Sequence, residues 1–540
     1  MNQPLATFPA LLEHTGKLQQ SKPVSLPQML WVMAAGYLHA LSLAWPFGLG
    51  LEYGKPLWWL QLTALAMLVW QLGRNPRAGR AALLGWLFAT AMLCGTFWWL
   101  FISMHRYGGL AAPLAVLAVL GLAGFLALYY AVACGVYAVL APAQRAGRVF
   151  LFAAMWLLAE LARVRIFTGF PWGEAGYAHI DGWARPLAGW VGVHGLSFLA
   201  AFTAALFVVA LQGARPRWLL ALATLAAAVG LAQLPAPQPT AAAALRAPLQ
   251  VTLLQGNIPQ NEKFQSGTGV VDALQFYGEQ LQLVKSPLVV LPETALPMLP
   301  HQLPEAYWER IKSRFTAGQQ AVLIGIPLGS SHEGYTNSVL GFKPAAAEPY
   351  RYDKHHLVPF GEFVPPFFKW FTRLMNIPLG DFNRGAVGQT SFDWMGERLA
   401  PNICYEDLFG EELGARFHDP AKAPTIFVNV SNIGWFGNTI AIDQHLHISR
   451  MRALEFARPM IRATNTGATV VIDRQGRLTY ALERHTRGVL VAEVQGVEEL
   501  TFYATWVSRL GLWAWWAIGL LIGLGALANF HLSRRRRSLR

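Results

Sequence analysis

The feature that restricts this chain most is a series of long apolar runs with almost no charge inside them. A helix needs about 20 mostly apolar residues to cross the hydrocarbon of a bilayer, and it satisfies its own backbone there. Seven such runs precede residue 236, at about 27–46, 56–73, 81–103, 112–140, 149–163, 187–212 and 217–235, and an eighth lies at about 510–530. Only 14% of the 540 residues are charged, where soluble proteins hold about 25%. Mean hydropathy is +0.33. The first run is expected to stay in the chain, because a polar lead precedes it and further spans follow at once, unlike a cleaved signal peptide.

A formal net charge of +13 suggests a nucleic-acid partner until it is localised. Residues 236–507 hold 23 Lys and Arg against 25 Asp and Glu, so the whole excess lies with the apolar runs. It can orient spans there, and no basic stripe remains to track phosphates; nucleic acid is excluded as the expected partner. With eight spans both termini share a side. Lys17, Lys22, Arg74, Arg77, Arg80, Arg145, Arg148, Arg215, Arg217, residues 534–537 and Arg540 fall on that side, against Lys55, Arg106, Arg163, Arg165 and Arg185 opposite. By the positive-inside rule both termini are expected in the cytoplasm, and 236–507 outside it. Trp58, Trp59, Trp98, Trp99, Trp513, Trp515 and Trp516 then fall towards the outer interface, where indole rings favour headgroup depth. The expected order is a cytoplasmic tail (1–26), seven spans (27–235), a polar domain (236–507), an eighth span (508–531) and a basic cytoplasmic tail (532–540).

The polar region reads as one α/β or α+β domain. After an Ala/Pro-rich linker at 235–248, an alternating segment at 249–255 and short apolar runs at 288–291, 321–326 and 425–430 read as buried strands. Helical patterns at 270–285 and 302–317 separate them. Segments 467–473 and 487–494, on either side of the turn-like 473–476, read as a β-hairpin. Cys94 and Cys134 sit in apolar runs and behave as small hydrophobes. Cys404 is the one cysteine of the polar region and has no disulfide partner there.

Three residues fall at strand ends, where loops display reactive groups. They are Glu293 in Leu291-Pro292-Glu293-Thr294, Lys354 in Tyr352-Asp353-Lys354-His355-His356, and Cys404 in Asn402-Ile403-Cys404-Tyr405-Glu406. Singly, Glu293 reads as a cap or ion-pair partner, Lys354 as a surface charge, and Cys404 as either core thiol or nucleophile. Together they supply a thiol, a base and a cation, which a thiol nucleophile needs at neutral pH. Glu, Lys and Cys in this order resemble the triad of the nitrilase, or carbon-nitrogen hydrolase, superfamily. That resemblance implies an α-β-β-α sandwich, so the expected fold is a polytopic α-helical membrane protein with an extracytoplasmic nitrilase-like domain.

Eight spans with such a domain between the last two resemble, more narrowly, the apolipoprotein N-acyltransferase family. Its strings are present as Phe167-Thr168-Gly169-Phe170-Pro171-Trp172, Gln255-Gly256-Asn257, Pro292-Glu293-Thr294, residues 354–362, Cys404-Tyr405-Glu406 and Trp435-Phe436-Gly437. The resemblance implies a multi-pass enzyme of the bacterial inner membrane, with its domain on the periplasmic side, that is a monomer. It would pass an acyl chain from a phospholipid, at sn-1, through a Cys404 thioester to the amino group of a diacylated apolipoprotein. Glu293 is then the general base, and Lys354 and the Tyr405 N–H the oxyanion donors. Glu362 and Glu406 either orient Lys354 and tune Glu293 or serve as structural ion-pair partners, while Trp435 and Phe436 form either a lip over the acyl chain or core. His445 and His447, two apart, would face different ways on a helix, so no metal site is expected; no cofactor is expected either. Two other readings share these features: a membrane-anchored amidase with the same triad, and a polytopic transporter with an inert sensor domain.

Overall fold

The computed structural model describes residues 23–75, 77–142, 144–212, 226, 230, 247–365 and 381–538. The tail before residue 23, the apolar run at 217–235 apart from two positions, and the linker up to residue 246 lie outside the described residues.

Helices occupy the other apolar runs: Leu26–Leu43 (α1), Trp58–Arg74 (α2), Ala78–Phe97 (α3), Ala112–Leu140 (α4), Arg145–Arg165 (α5) and Ala188–Leu211 (α6). Among the described residues, four helices are long and apolar enough to cross a membrane, at Ala78–Phe97, Ala112–Leu140, Arg185–Leu211 and Trp513–Arg536. Close approach between helices without a hydrophobic gradient needs small residues at the contact. Gly36 of α1 is one, since a Cβ there would stand 2.0 Å from the Phe88 carbonyl oxygen of α3. Beyond Phe97 the chain continues in a short helical turn, Leu100–Ile102, and a π-helical turn, Ser103–Tyr107, which carry Trp99 and Tyr107 towards the polar domain.

The polar domain is built on two six-stranded sheets. The first has the order β12-β1-β2-β3-β4-β5, with β1 Leu249–Gln255, β2 Leu288–Val290, β3 Ala321–Ser330, β4 Gly334–Phe342, β5 Tyr350–Asp353 and β12 Gly488–Val494. The second has the order β11-β10-β9-β8-β7-β6, with β6 Phe392–Trp394, β7 Glu397–Ile403, β8 Ile426–Ser431, β9 Met460–Thr464, β10 Val470–Ile472 and β11 Leu478–Ala481. In each sheet three central strands run parallel and the outer ones antiparallel. Alternate residues of both sheets, among them Val251, Leu253, Val290, Leu323, Ile403, Val428, Val430 and Ile461, meet in one dry layer. β2 and the first half of β3 are buried on both faces, hence their Val, Ile and Leu runs at 288–291 and 321–326.

On the far side of the first sheet lie α7 (Gly269–Leu283) and α8 (Glu305–Thr316), through Phe276, Leu281, Ile311 and Phe315. On the far side of the second lies α9 (Ala441–Phe456), completing four layers of helix, sheet, sheet and helix. This outer layer is not a free surface. Residues of α9 and of the sheet behind it, such as Phe427 and Met460, share one apolar core with the helices α1 to α6. The chain leaves through α10 (Phe502–Leu510) into α11 (Trp513–Ser538).

One expectation is corrected. Residues 473–476 do close a hairpin, but β10 pairs with β11, not with 487–494. The segment 488–494 becomes β12 and pairs antiparallel with β1 of the other sheet, where Val491 and Val489 meet Thr252 and Leu254. The Asp473 side chain accepts from the N–H groups of Gln475 and Arg477, which makes a tight reversal followed at once by β11. A two-residue alternation is the same for either pairing, so the pattern could not choose.

Gln444 of α9 ties the halves together. Its Oε1 accepts from the indole N–H of Trp172 at 2.8 Å and of Trp99 at 3.1 Å, and its Nε2 donates to the Thr96 carbonyl at 3.0 Å. Indole nitrogens only donate and the carbonyl only accepts, so the amide has one satisfactory orientation. Each buried polar group orphaned by its loss costs about 1–3 kcal/mol. Gln444→Leu is therefore expected to lower the thermal midpoint in detergent by several degrees and Gln444→Glu, which keeps both indole acceptors, by less; equal midpoints for all three proteins would show that this amide does not hold the halves together.

Candidate active site

The three strand-end residues converge. Glu293 follows β2, Lys354 follows β5 and Cys404 follows β7, so the ends of both sheets supply the groups. Lys354 is 1% exposed, and its Nζ lies 2.8 Å from Glu362 Oε1 and 3.4 Å from Glu293 Oε1. The Asn337 side-chain amide, from β4, donates to the same two oxygens, at 2.8 Å and 2.7 Å. The two carboxylates are thus held apart by one cation and one amide. A buried ammonium without such partners would shed its proton. Burial does work against the charge, but Glu362 and Glu293 outweigh it and hold the Lys354 pKa well above its ordinary value.

Each carboxylate is completed by backbone. Glu293 Oε2 accepts from the Asn432 N–H at 2.8 Å, and Glu362 Oε2 from the Val358 N–H at 2.8 Å. Glu293 itself rests on Gly325 of β3, where a Cβ would stand 2.2 Å from the Pro292 carbonyl oxygen and 2.8 Å from Glu293 Cα. Only glycine lets the neighbouring strand come that close. Lys263 closes the floor, donating from a buried Nζ to the Glu293 carbonyl at 2.9 Å; burial brings its pKa down to about 8.

Cys404 begins a turn at the end of β7 with φ +52°, the left-handed region that non-glycine residues seldom enter. Thr294, after Glu293, has φ +44°. Such strain costs on the order of 1–3 kcal/mol and persists where surrounding contacts over-determine it. Burial pushes the Cys404 thiol up to about 12, the Glu293 carboxylate adds to this, and Lys354 opposes it. A neutral thiol beside a carboxylate suits proton transfer during attack, not a thiolate formed in advance.

The other sequence candidates are placed as follows. Glu362 lies against Lys354, as above. Glu406 touches neither Lys354 nor Glu293 by hydrogen bond; its carboxylate accepts from the N–H groups of Ile403, His355 and His356 and from the Tyr352 hydroxyl, binding the Cys404 turn to the strand end that carries Lys354. Tyr405 is buried and reaches into the helical half, donating from its hydroxyl to the Gly169 carbonyl at 3.1 Å and stacking on Phe170. His356 Nε2 lies 2.9 Å from the Thr168 carbonyl, so two residues beside the triad clasp the backbone of the 167–172 loop. Phe436 packs on Trp99 with ring centres 4.2 Å apart, and Trp435 meets Tyr107 edge-on. Asn337 and Lys263 had no signal in the sequence, since neither lies in a string with an unusual spacing.

The pH dependence of Cys404 follows from its surroundings. A raised pKa leaves the thiol protonated at neutral pH, so alkylation of Cys404 by iodoacetamide is expected to climb steadily from pH 7 to 10. A plateau below pH 8, read by peptide mass spectrometry, would mean a preformed thiolate.

Comparison with known proteins agrees with this architecture on both sides of the junction. Residues 35–206 match the family model described as the apolipoprotein N-acyltransferase N-terminal domain, and residues 250–501 match carbon-nitrogen hydrolase. The chain is 60% identical over 506 residues to the apolipoprotein N-acyltransferase of Verminephrobacter eiseniae, covering 90% of this chain and 93% of that one. It is 44% identical to the protein of the same name from Ralstonia nicotianae, covering 89% and 90%. With relatives this similar along nearly the whole length, the chain belongs to the apolipoprotein N-acyltransferase family.

Proposed function

We propose that this chain moves an acyl chain from the sn-1 position of a phospholipid, by way of a Cys404 thioester, to the α-amino group of the diacylglyceryl-cysteine that begins an apolipoprotein. The observation that carries this reading is the position of the site. A thiol, a carboxylate and a buried ammonium converge beside the 167–172 loop of the helical half, which is where an enzyme acting on a lipid ester needs its nucleophile.

In the first half-reaction Glu293 takes the Cys404 proton as sulfur attacks the ester carbonyl carbon. Charge collects on the carbonyl oxygen, where Lys354 Nζ and the Tyr405 N–H are the donors; each such donor contributes about 3–4 kcal/mol. The carbon–oxygen bond to glycerol then breaks, Glu293 returns its proton to the leaving oxygen, and lysophospholipid departs. In the second half-reaction the lipoprotein amine attacks the thioester carbonyl and Glu293 takes the amine proton. The carbon–sulfur bond breaks and the proton passes to Cys404, which restores the thiol. Glu362 and Asn337 keep Lys354 and Glu293 in register, and Trp435 and Phe436 face the acyl chain. No cofactor or metal enters these steps.

The same reading sets the membrane arrangement. Eight spans, with 217–235 as the seventh, place both termini in the cytoplasm and residues 236–507 on the periplasmic side of the inner membrane. The enzyme acts as a monomer, since one chain holds the whole triad and the loop beneath it.

Intact mass spectrometry tests the chemistry. Incubation of the purified chain with one defined phospholipid is expected to add one acyl chain, and Cys404→Ala to add none. Glu293→Gln and Lys354→Met are expected to slow acylation by about 100-fold or more. A diacylated cysteinyl peptide should discharge the adduct as an N-acyl product faster than water does. Absence of any adduct, or discharge to water alone, would replace the transferase by a membrane-anchored hydrolase.

A further inference from the structure

Beneath Cys404 lies a buried polar cluster that the steps above do not use. His445 of α9 places Nε2 3.2 Å from the Cys404 carbonyl oxygen and 2.9 Å from Asp407 Oδ1, while its Nδ1 lies 2.9 Å from Arg462 Nη2. Arg462, from β9, also donates to Asn429 and to Asp407, and Ser449 donates to Asp407. All these side chains are essentially shut off from solvent.

The partners decide the tautomer. A guanidinium only donates, so Nδ1 of His445 must carry a lone pair, and the ring proton must sit on Nε2. Burial and the Arg462 charge favour this neutral form. Nε2–H therefore points at the Asp407 carboxylate and the Cys404 carbonyl together. Asn429 Nδ2 reaches the same carbonyl at 3.4 Å.

A carbonyl held from two sides fixes more than itself. The Cys404 C=O and the Tyr405 N–H belong to one rigid peptide plane, so holding the oxygen sets the direction of the N–H. The plane is also the one that follows the left-handed Cys404, where an unrestrained chain would relax. We propose that His445, oriented by Asp407 and Arg462, is a positioning residue that aims the Tyr405 N–H at the oxygen of the tetrahedral intermediate. This rests on the acyl-transfer reading and adds to it the group that makes the backbone donor dependable.

Two substitutions separate the functions of the ring. Asn places its amide where Nδ1 stands and can accept from Arg462 but loses the donor to Cys404; Gln reaches the Nε2 position and keeps that donor. Acylation of the full chain by a defined phospholipid is timed by intact mass, beside alkylation of Cys404 by iodoacetamide, a displacement that forms no oxyanion. Loss of a whole oxyanion donor costs about 100- to 1000-fold in rate, so His445→Asn is expected to slow acylation by about 10- to 100-fold. Alkylation should stay within a factor of about three, and His445→Gln should recover most of the loss, because the donor is restored. Near-normal acylation by His445→Asn overturns the proposal. So does a parallel fall in alkylation, which would place the effect on the thiol, and so does a Gln variant as slow as Asn. Should the Asn variant not fold, the ratio of the two rates in the Gln variant against wild type decides, since a ring needed only to accept from Arg462 leaves Gln impaired. A wild-type chain that takes up no acyl group overturns the transferase reading itself, and that failure shows before any variant is made.

Discussion

One ammonium held between two carboxylates governs the candidate site. Lys354 is closed off from water, and a bare charge there would be untenable without Glu293 and Glu362 beside it. Equally, two carboxylates that share the Asn337 amide would repel each other without the cation between them. The three charges therefore have to be assembled together. Their assembly requires β2, β4 and β5 of one sheet and the segment 358–362 beyond it to be in place at once, so the chemistry is a consequence of the completed sandwich.

The second constraint is attachment to the helical half. A soluble sandwich can finish its outer helix layer with a polar surface. Here α9 is covered by the helical half, and the contact combines one apolar core with buried polar ties such as Gln444, Tyr405 with Gly169, and Glu455 with the Val193 N–H at 2.6 Å. Polar ties set register in a way that an apolar surface alone does not. They place the turn after Cys404 directly against the 167–172 loop, so the Cys404 turn and the helical half share one set of hydrogen bonds.

Much of this was legible in the order of residues. Apolar runs marked six helices before residue 212 and one after 510, because length and lack of charge are local properties. The strand at 249–255 was visible by its alternation, and those at 288–291, 321–326 and 425–430 because a strand buried on both faces has few polar residues to interrupt it. Glu293 was visible because it follows such a run, and Lys354 and Cys404 because they complete the order of a base, a cation and a thiol along the chain. The pairing of 488–494 was hidden, since alternation is blind to which sheet a strand joins. Asn337 and Lys263 were hidden too, for an Asn within a strand and a Lys after a loop carry no periodicity. Glu406 could be singled out but not assigned, because all its partners except the Ile403 N–H lie about 50 positions away.

What the sequence by itself determined is therefore the list of parts: apolar helices, α/β strands, and a thiol, a base and a cation at strand ends. These follow from composition and spacing, which act within a few residues of chain. The tertiary structure decided the relations among the parts. It settled which carboxylate touches Lys354 and which only braces the backbone, where β12 pairs, and that a buried imidazole lies under the Cys404 carbonyl. Each of these depends on atoms brought within about 3 Å from distant parts of the chain. Hydrogen bonds and buried charges are sensitive to ångströms, and only the packed layers fix distances on that scale.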